Sequence, residues 1–109
     1  MDKEHEMIKS KAILLNGYVA YSDDAIVSKT IVDRKTGIIT LFAFDKGQKL
    51  SEHTTPYDAL VHILDGEAEL VIGGETLQVS SGKFVIMPAN IPHAVTANQR
   101  FKMLLIMIR

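Results

Sequence analysis

His53 and His93, forty positions apart, are the side chains of this 109-residue chain best suited to chemistry near neutral pH. An imidazole gains or loses a proton in that range, and its neutral form binds metal ions. The other two of the 4 histidines have poorer settings. His5 lies in a charged N-terminal stretch, and His62 lies in an apolar run with parity opposite to Val61, which predicts a surface or interface position. Beside His53 runs Thr54-Thr55-Pro56-Tyr57-Asp58. Pro and Asp favour a turn, which would place Tyr57 and Asp58 at the rim of any pocket. Thr55 shares strand parity with His53 and offers a hydroxyl to the same space. Asp58 reaches that space only if a β-bulge near Pro56 reverses its facing, and Glu52, of opposite parity to His53, is expected in solvent.

No cysteine is present. Disulfides, thiolate ligands and thiol nucleophiles are therefore excluded together. Met87, Met103 and Met107 with the two histidines would make a copper(I) set, since thioether and imidazole suit that ion. The plainer reading, which the sequence favours, is core packing by flexible side chains. Phe42, Phe44 and Phe84 are read as core in the same way. Gly73-Gly74 has no following Lys-Ser pair and is not a phosphate loop, and no Ser/His/Asp triad is visible by spacing.

These residues need a scaffold, and the bulk composition bounds it. Apolar residues are 47% and charged residues 23% of a chain with 12 basic and 13 acidic side chains and a formal charge of -1. That describes one globular domain with no basic field for nucleic acid or an acidic membrane surface. The apolar run from Met103 to Ile108 is far short of the roughly 20 residues that cross a bilayer. The polar start Met1-Asp2-Lys3-Glu4-His5-Glu6 resembles neither a signal nor a transit peptide, so cytoplasmic residence is the default.

Residues 1–11 read as a mobile or loosely docked arm, and Ala12 to Tyr21 as either a short helical turn or extended chain. From Ile26 the pattern is β. Ile26 to Val32, Ile38 to Phe44, Leu60 to Leu64, Ala68 to Ile72, Thr76 to Val79, Phe84 to Met87 and Phe101 to Ile108 are apolar or alternating. Asp33 to Gly37, Asp45 to Gly47, Asp65-Gly66, Gly73-Gly74 and Ser80 to Gly82 punctuate them. About seven or eight short strands at this spacing predict a sandwich or barrel.

The turn positions are more specific than that. Gly47 is followed by five residues and His53, and Gly66 ends the same pattern. Gly82 is followed by five residues and Pro88, then Asn90 and His93. Over about residues 38 to 108 this resembles the cupins, whose two motifs place Gly, two His, Glu and Gly, then Gly, Pro, Gly, His and Asn, at these intervals. The resemblance implies an all-β fold, a jelly-roll β-barrel or double-stranded β-helix, spanning residues 26–109. Residues 1–25 then form an N-terminal arm that, like the Ile26–Val32 strand, is a candidate for exchange between two copies. It also implies that His53 and His93 meet across the pocket. The family's metal site uses three His and one Glu, but here Thr55 stands at the second His and Ala59 at the Glu. Ala97 stands at the final Asn, with Asn98 adjacent, and Asn90 replaces a Gly, which Asn tolerates in a left-handed conformation.

Three functional readings follow. In the first, the chain is a binding module whose pocket holds a small organic ligand, with His53, Thr55, His93 and Tyr57 fixing its polar end. Alternatively it is a metal-dependent enzyme of dioxygenase, isomerase or epimerase type. His53 and His93, with Asp58 only if turned inward, would then hold a divalent transition ion: zinc, iron, manganese or nickel. In the third it is a structural dimer with a lost site. A homodimer is expected in any case, since pairing covers strand edges. No helix-turn-helix segment is present, so no nucleic-acid partner is expected, and neither is a membrane.

Overall fold

The computed structural model describes residues 8–109. His5 and most of the expected N-terminal arm lie outside the described residues. Eight strands follow a single turn of 3₁₀ helix at Leu15–Gly17: β1 Ile26–Arg34, β2 Gly37–Phe44, β3 Lys49–His53, β4 Ala59–Ile72, β5 Glu75–Ser80, β6 Phe84–Met87, β7 His93–Thr96 and β8 Phe101–Ile108. They run in the order β1-β2-β8-β4-β7-β3, with β5 and β6 also paired to β4. All pairings are antiparallel. No helix of the described residues is long and apolar enough to cross a membrane.

The sequence pattern predicts two strands, Leu60–Leu64 and Ala68–Ile72, but the chain makes one. β4 runs unbroken through Asp65-Gly66 and changes sheets there. Its first half pairs with β6 and β8, and its second half with β5 and β7. A register shift against β8 falls between Ile63 and Asp65, and Gly66 takes φ 73. A Cβ at Gly66 would lie 2.1 Å from the Arg100 carbonyl oxygen, so only glycine lets the two backbones approach. This kink curls the sheet so that its two halves face each other.

Between the halves lies the core. Ala59, Val61 and Ile63 from the first half of β4 and Ala68 and Leu70 from the second are buried, as alternation requires. Phe44 and Phe101 stack at 4.5 Å between ring centroids. β6 departs from expectation. Phe84 and Ile86 are 61% and 54% exposed, while Met87 is buried and Val85 packs against the core. Composition marks β6 as apolar, but its period-two facing turns Phe84 away from the core, so Phe84 is not a core residue. On β5, Val79 is buried but Leu77 is 41% exposed, because β5 is an edge strand paired only to β4.

A second, smaller cluster sits on the outer face. Val19 is 1% exposed and packs with Leu41 and Ala43, with Leu15, Tyr18 and Tyr21 around them. The Tyr21 hydroxyl donates to Asp65 at 2.6 Å, and burial together with that carboxylate pushes the phenol's pKa up. Lys102 and Arg100 lie over the Tyr21 ring. The segment from Leu15 to Tyr21 therefore tiles part of the sheet, while β1 pairs with β2 of its own chain.

Gly66→Ala should cost at least about 2 kcal/mol in denaturant unfolding, from the left-handed backbone and the carbonyl contact together. Gly82 has φ +89 but nothing within 4 Å of an added Cβ, so Gly82→Ala isolates the backbone penalty alone. The Gly66 variant should be clearly the weaker of the two. Equal losses would mean that close approach at Gly66 is not what shapes β4.

Candidate functional site

β3 is short and polar, and its register explains where His53 points. Leu50 is opposite Val95 and His53 is opposite His93, so three steps along β3 match two along β7. The extra residue is a bulge at Ser51–Glu52. Strict alternation from Leu50 would turn His53 outward; the bulge reverses the parity and brings both Leu50 and His53 to the barrel mouth. The bulge lies before His53, not near Pro56. Residues 54–58 form the expected turn, held by the Thr55 hydroxyl, which donates to the Tyr57 carbonyl and accepts from the Tyr57 N–H.

His53 and His93 meet as direct cross-strand partners. Their Nε2 atoms are 3.1 Å apart, with ring centroids at 4.3 Å and planes at 69°. His93 is 4% exposed and His53 lies on the open side. Each Nδ1 bonds the carbonyl two residues earlier, Ser51 O at 2.8 Å for His53 and Ile91 O at 3.2 Å for His93. A carbonyl oxygen only accepts, so each Nδ1 carries the hydrogen when these bonds are made. In the neutral rings both Nε2 atoms then present bare lone pairs to each other. An electron-poor occupant between or beside them relieves that repulsion: a proton, a hydrogen-bond donor or a cation.

Behind the pair is a chamber of about 40 Å³. Met87, Met103 and Met107 line it together with aliphatic side chains and the two imidazoles. Thr55, Tyr57 and Asp58 are not among its walls. Asp58 accepts the Ala89 N–H at 2.8 Å and so ties the β3–β4 loop to the β6–β7 loop. Asn90, at φ 65, shapes that second loop, and its N–H donates to the Thr55 carbonyl. His62 is half-buried on the outer face of β4, in register with Phe84 and Leu104. Ala97 is buried, and Asn98 bonds Glu69 rather than the mouth.

The profile of the cupin domain matches residues 40–108. The chain belongs to the cupins. Among solved structures, this cupin aligns with a conserved protein of unknown function from Streptococcus pyogenes at 42% identity. That alignment has a TM-score of 0.88 and covers 92% of this chain and 88% of the other. It also aligns with a cupin 2 conserved barrel domain protein from Leptotrichia buccalis at 42% identity and TM-score 0.85, over 87% of this chain and 46% of the other. An uncharacterized protein of Streptomyces coelicolor is 33% identical over 55 residues, 50% of this chain. The cupin spans about half the length of that curated relative, the match covering 52% of it.

The donor set of this cupin does not fit the divalent ions of its family. No three His, Cys, Asp or Glu side chains come together among the described residues. Catalytic zinc takes three protein ligands and non-haem iron two His and a carboxylate. Here the third imidazole is replaced by a hydroxyl held in its own turn, and the carboxylate by the Ala59 methyl. The sequence raises the three methionines with the two histidines as one set and favours core packing for them; that they also wall the chamber is decided by strand register.

Burial lowers the His93 pKa from 6.5, the Ile91 carbonyl partly opposes this, and positive charge on His53 lowers it further. Unfolded His93 therefore takes up a proton that the folded ring resists. Stability should fall as pH drops from about 6.5 toward the depressed folded value, and should be flat with respect to this group well above about 6.5. Urea midpoints measured at intervals across this range should show the decline, and His93→Gln should flatten it. An unchanged slope in the variant would show that another group carries the acid sensitivity.

Proposed function

We propose that this cupin is a binding module, with His53 and His93 gripping the polar end of a small ligand at the chamber mouth. The reading is carried by the two converging Nε2 atoms, whose Nδ1–H groups are already committed to backbone carbonyls. Both rings are oriented before any ligand arrives, which lowers the ordering cost of binding. Drug-sized ligands occupy about 300–1,000 Å³. The chamber, at about 40 Å³, admits only the tip of one, and the remainder would lie outside the mouth. A sugar hydroxyl suits the neutral pair as a donor, and a small carboxylate suits it when one imidazole takes up a proton from solvent on binding. The metal-dependent alternative is the weaker one, since two imidazoles leave a divalent ion short of protein donors.

Thermal unfolding with a panel of small carboxylic acids and sugars, on protein purified without chelators, tests this. A ligand at a hundred times its Kd adds about 2.7 kcal/mol, a shift of roughly 10–20 °C for a domain of this size. The shift should shrink in His53→Gln and His93→Gln. Near-stoichiometric divalent metal in the purified protein, lost in both variants, would instead support the enzyme.

We also propose that the functional unit is a homodimer. Phe84, Ile86 and Ile108 are 61%, 54% and 61% exposed. On the same outer face a groove of about 230 Å³ runs along Val32, Ile39, Ile106 and Ile108. Leu15 to Tyr21 covers only the neighbouring part of this face. A mostly apolar strip of this kind, with Arg34 at the groove, marks an interaction surface, and a two-fold pairing lets one such strip cover another. Sedimentation should give twice the chain mass, and Ile106→Lys should give a folded monomer. A wild-type monomer at tens of micromolar would remove this proposal.

A further inference from the structure

The register of three strands sets out a row opposite the histidines. The Ala59 methyl is not a donor, but its cross-strand neighbours Met87 and Met107 carry thioethers.

 Ala59 of β4 is paired with Met87 of β6 on one side and Met107 of β8 on the other. This is the position at which the family pattern carries glutamate, so the oxygen donor is missing and a thioether-bearing residue stands on each side. Both methionines, with Met103, line the chamber that His53 and His93 close. Three of the chain's 5 methionines thus share one cavity with two imidazoles.

We propose that the chamber is a binding site for a soft monovalent cation, Cu(I), held by the Nε2 atoms of His53 and His93 and by thioether sulfur from Met87, Met103 or Met107. This rests on the reading of the barrel as a binding module and gives the same histidine pair a cation in place of the organic ligand. Thioether and imidazole are donors that select Cu(I), whereas hard or borderline divalent ions favour sites with oxygen ligands or more nitrogen. Charge points the same way. No carboxylate lines the chamber, and the desolvation cost of an ion grows with the square of its charge, so a neutral apolar site disfavours a divalent ion strongly. Metal–nitrogen bonds of about 2.0–2.1 Å to two atoms 3.1 Å apart subtend roughly 100° at a shared ion, an angle that leaves room for sulfur on the chamber side.

Anaerobic titration of the purified full chain with Cu(I), against a colorimetric Cu(I) chelator, tests the assignment. One equivalent should bind, and Zn(II) should bind at least about a hundredfold more weakly. Met87→Leu and Met107→Leu nearly conserve volume and should leave the apo unfolding midpoint close to wild type. Together they should weaken Cu(I) by about tenfold or more, comparable to the effect of altering a metal site's supporting groups. His53→Gln should weaken it as well, and sulfur should appear in the X-ray absorption spectrum of the copper-loaded protein. Cu(I) affinity unchanged in the double Met variant, or Zn(II) binding tighter than Cu(I), would overturn the proposal. Carboxylic acids that stabilise the protein while Cu(I) fails to bind would remove the copper assignment and leave the binding-module reading. Failure of both would remove both.

Discussion

The barrel depends on the close approach of β4 and the start of β8 at Gly66. No side chain fits between this residue and the Arg100 carbonyl, and the resulting kink lets one strand of 14 residues serve both sheets. Its first half presents Ala59, Val61 and Ile63 to the interior, and its second half presents Ala68 and Leu70 to the same interior from the other sheet. Every contact across the core presupposes this crossing. So does the site, since the histidine pair belongs to the β3–β7 side and the methionines to the β6–β4–β8 side.

Within that frame, the chemistry follows from where hydrogens must sit. Backbone carbonyls of Ser51 and Ile91 claim the Nδ1 hydrogens, and in the neutral rings the opposed Nε2 atoms are left as two acceptors with no hydrogen between them. The surrounding wall is apolar and uncharged, which sharpens any electrostatic interaction at the mouth. The residues that would supply oxygen donors are engaged elsewhere: Thr55 within its turn and Asp58 on the Ala89 N–H. These two bonds hold loops, and they account for polar residues beside the site without giving them a part in it.

Much of the fold was legible in the chain. Strands rich in β-branched and aromatic residues stand out, and β8 occupies the predicted span Phe101–Ile108. The glycine spacing identified the family, and Asn90 takes the left-handed conformation expected where a glycine is usual. The weakest reading was of the elements that carry the histidines. β3 is Lys-Leu-Ser-Glu-His and β7 is His-Ala-Val-Thr, too short and too polar to declare themselves by alternation. The two imidazoles were paired from the family pattern, not from strand signals. Phe84 was misread because composition cannot tell which side of a four-residue strand faces inward. The methionines were assigned to the core, and Met87 and Met103 are indeed buried there. That they also share a cavity with the histidines depends on register across three strands, which linear spacing does not encode.

The bulge at Ser51–Glu52 has a consequence for how such a barrel changes over time. β3 ends the sheet order, paired only with β7, and four of its five residues are exposed. Loss of a single codon there would close the bulge and leave the ring two positions from Leu50, still facing inward by ordinary alternation, while the stacked phenylalanines and the β4 crossing stay as they are. The ligand grip is thus mounted on a margin of the scaffold that can shorten by one residue and keep its two imidazoles opposed, with the interior untouched.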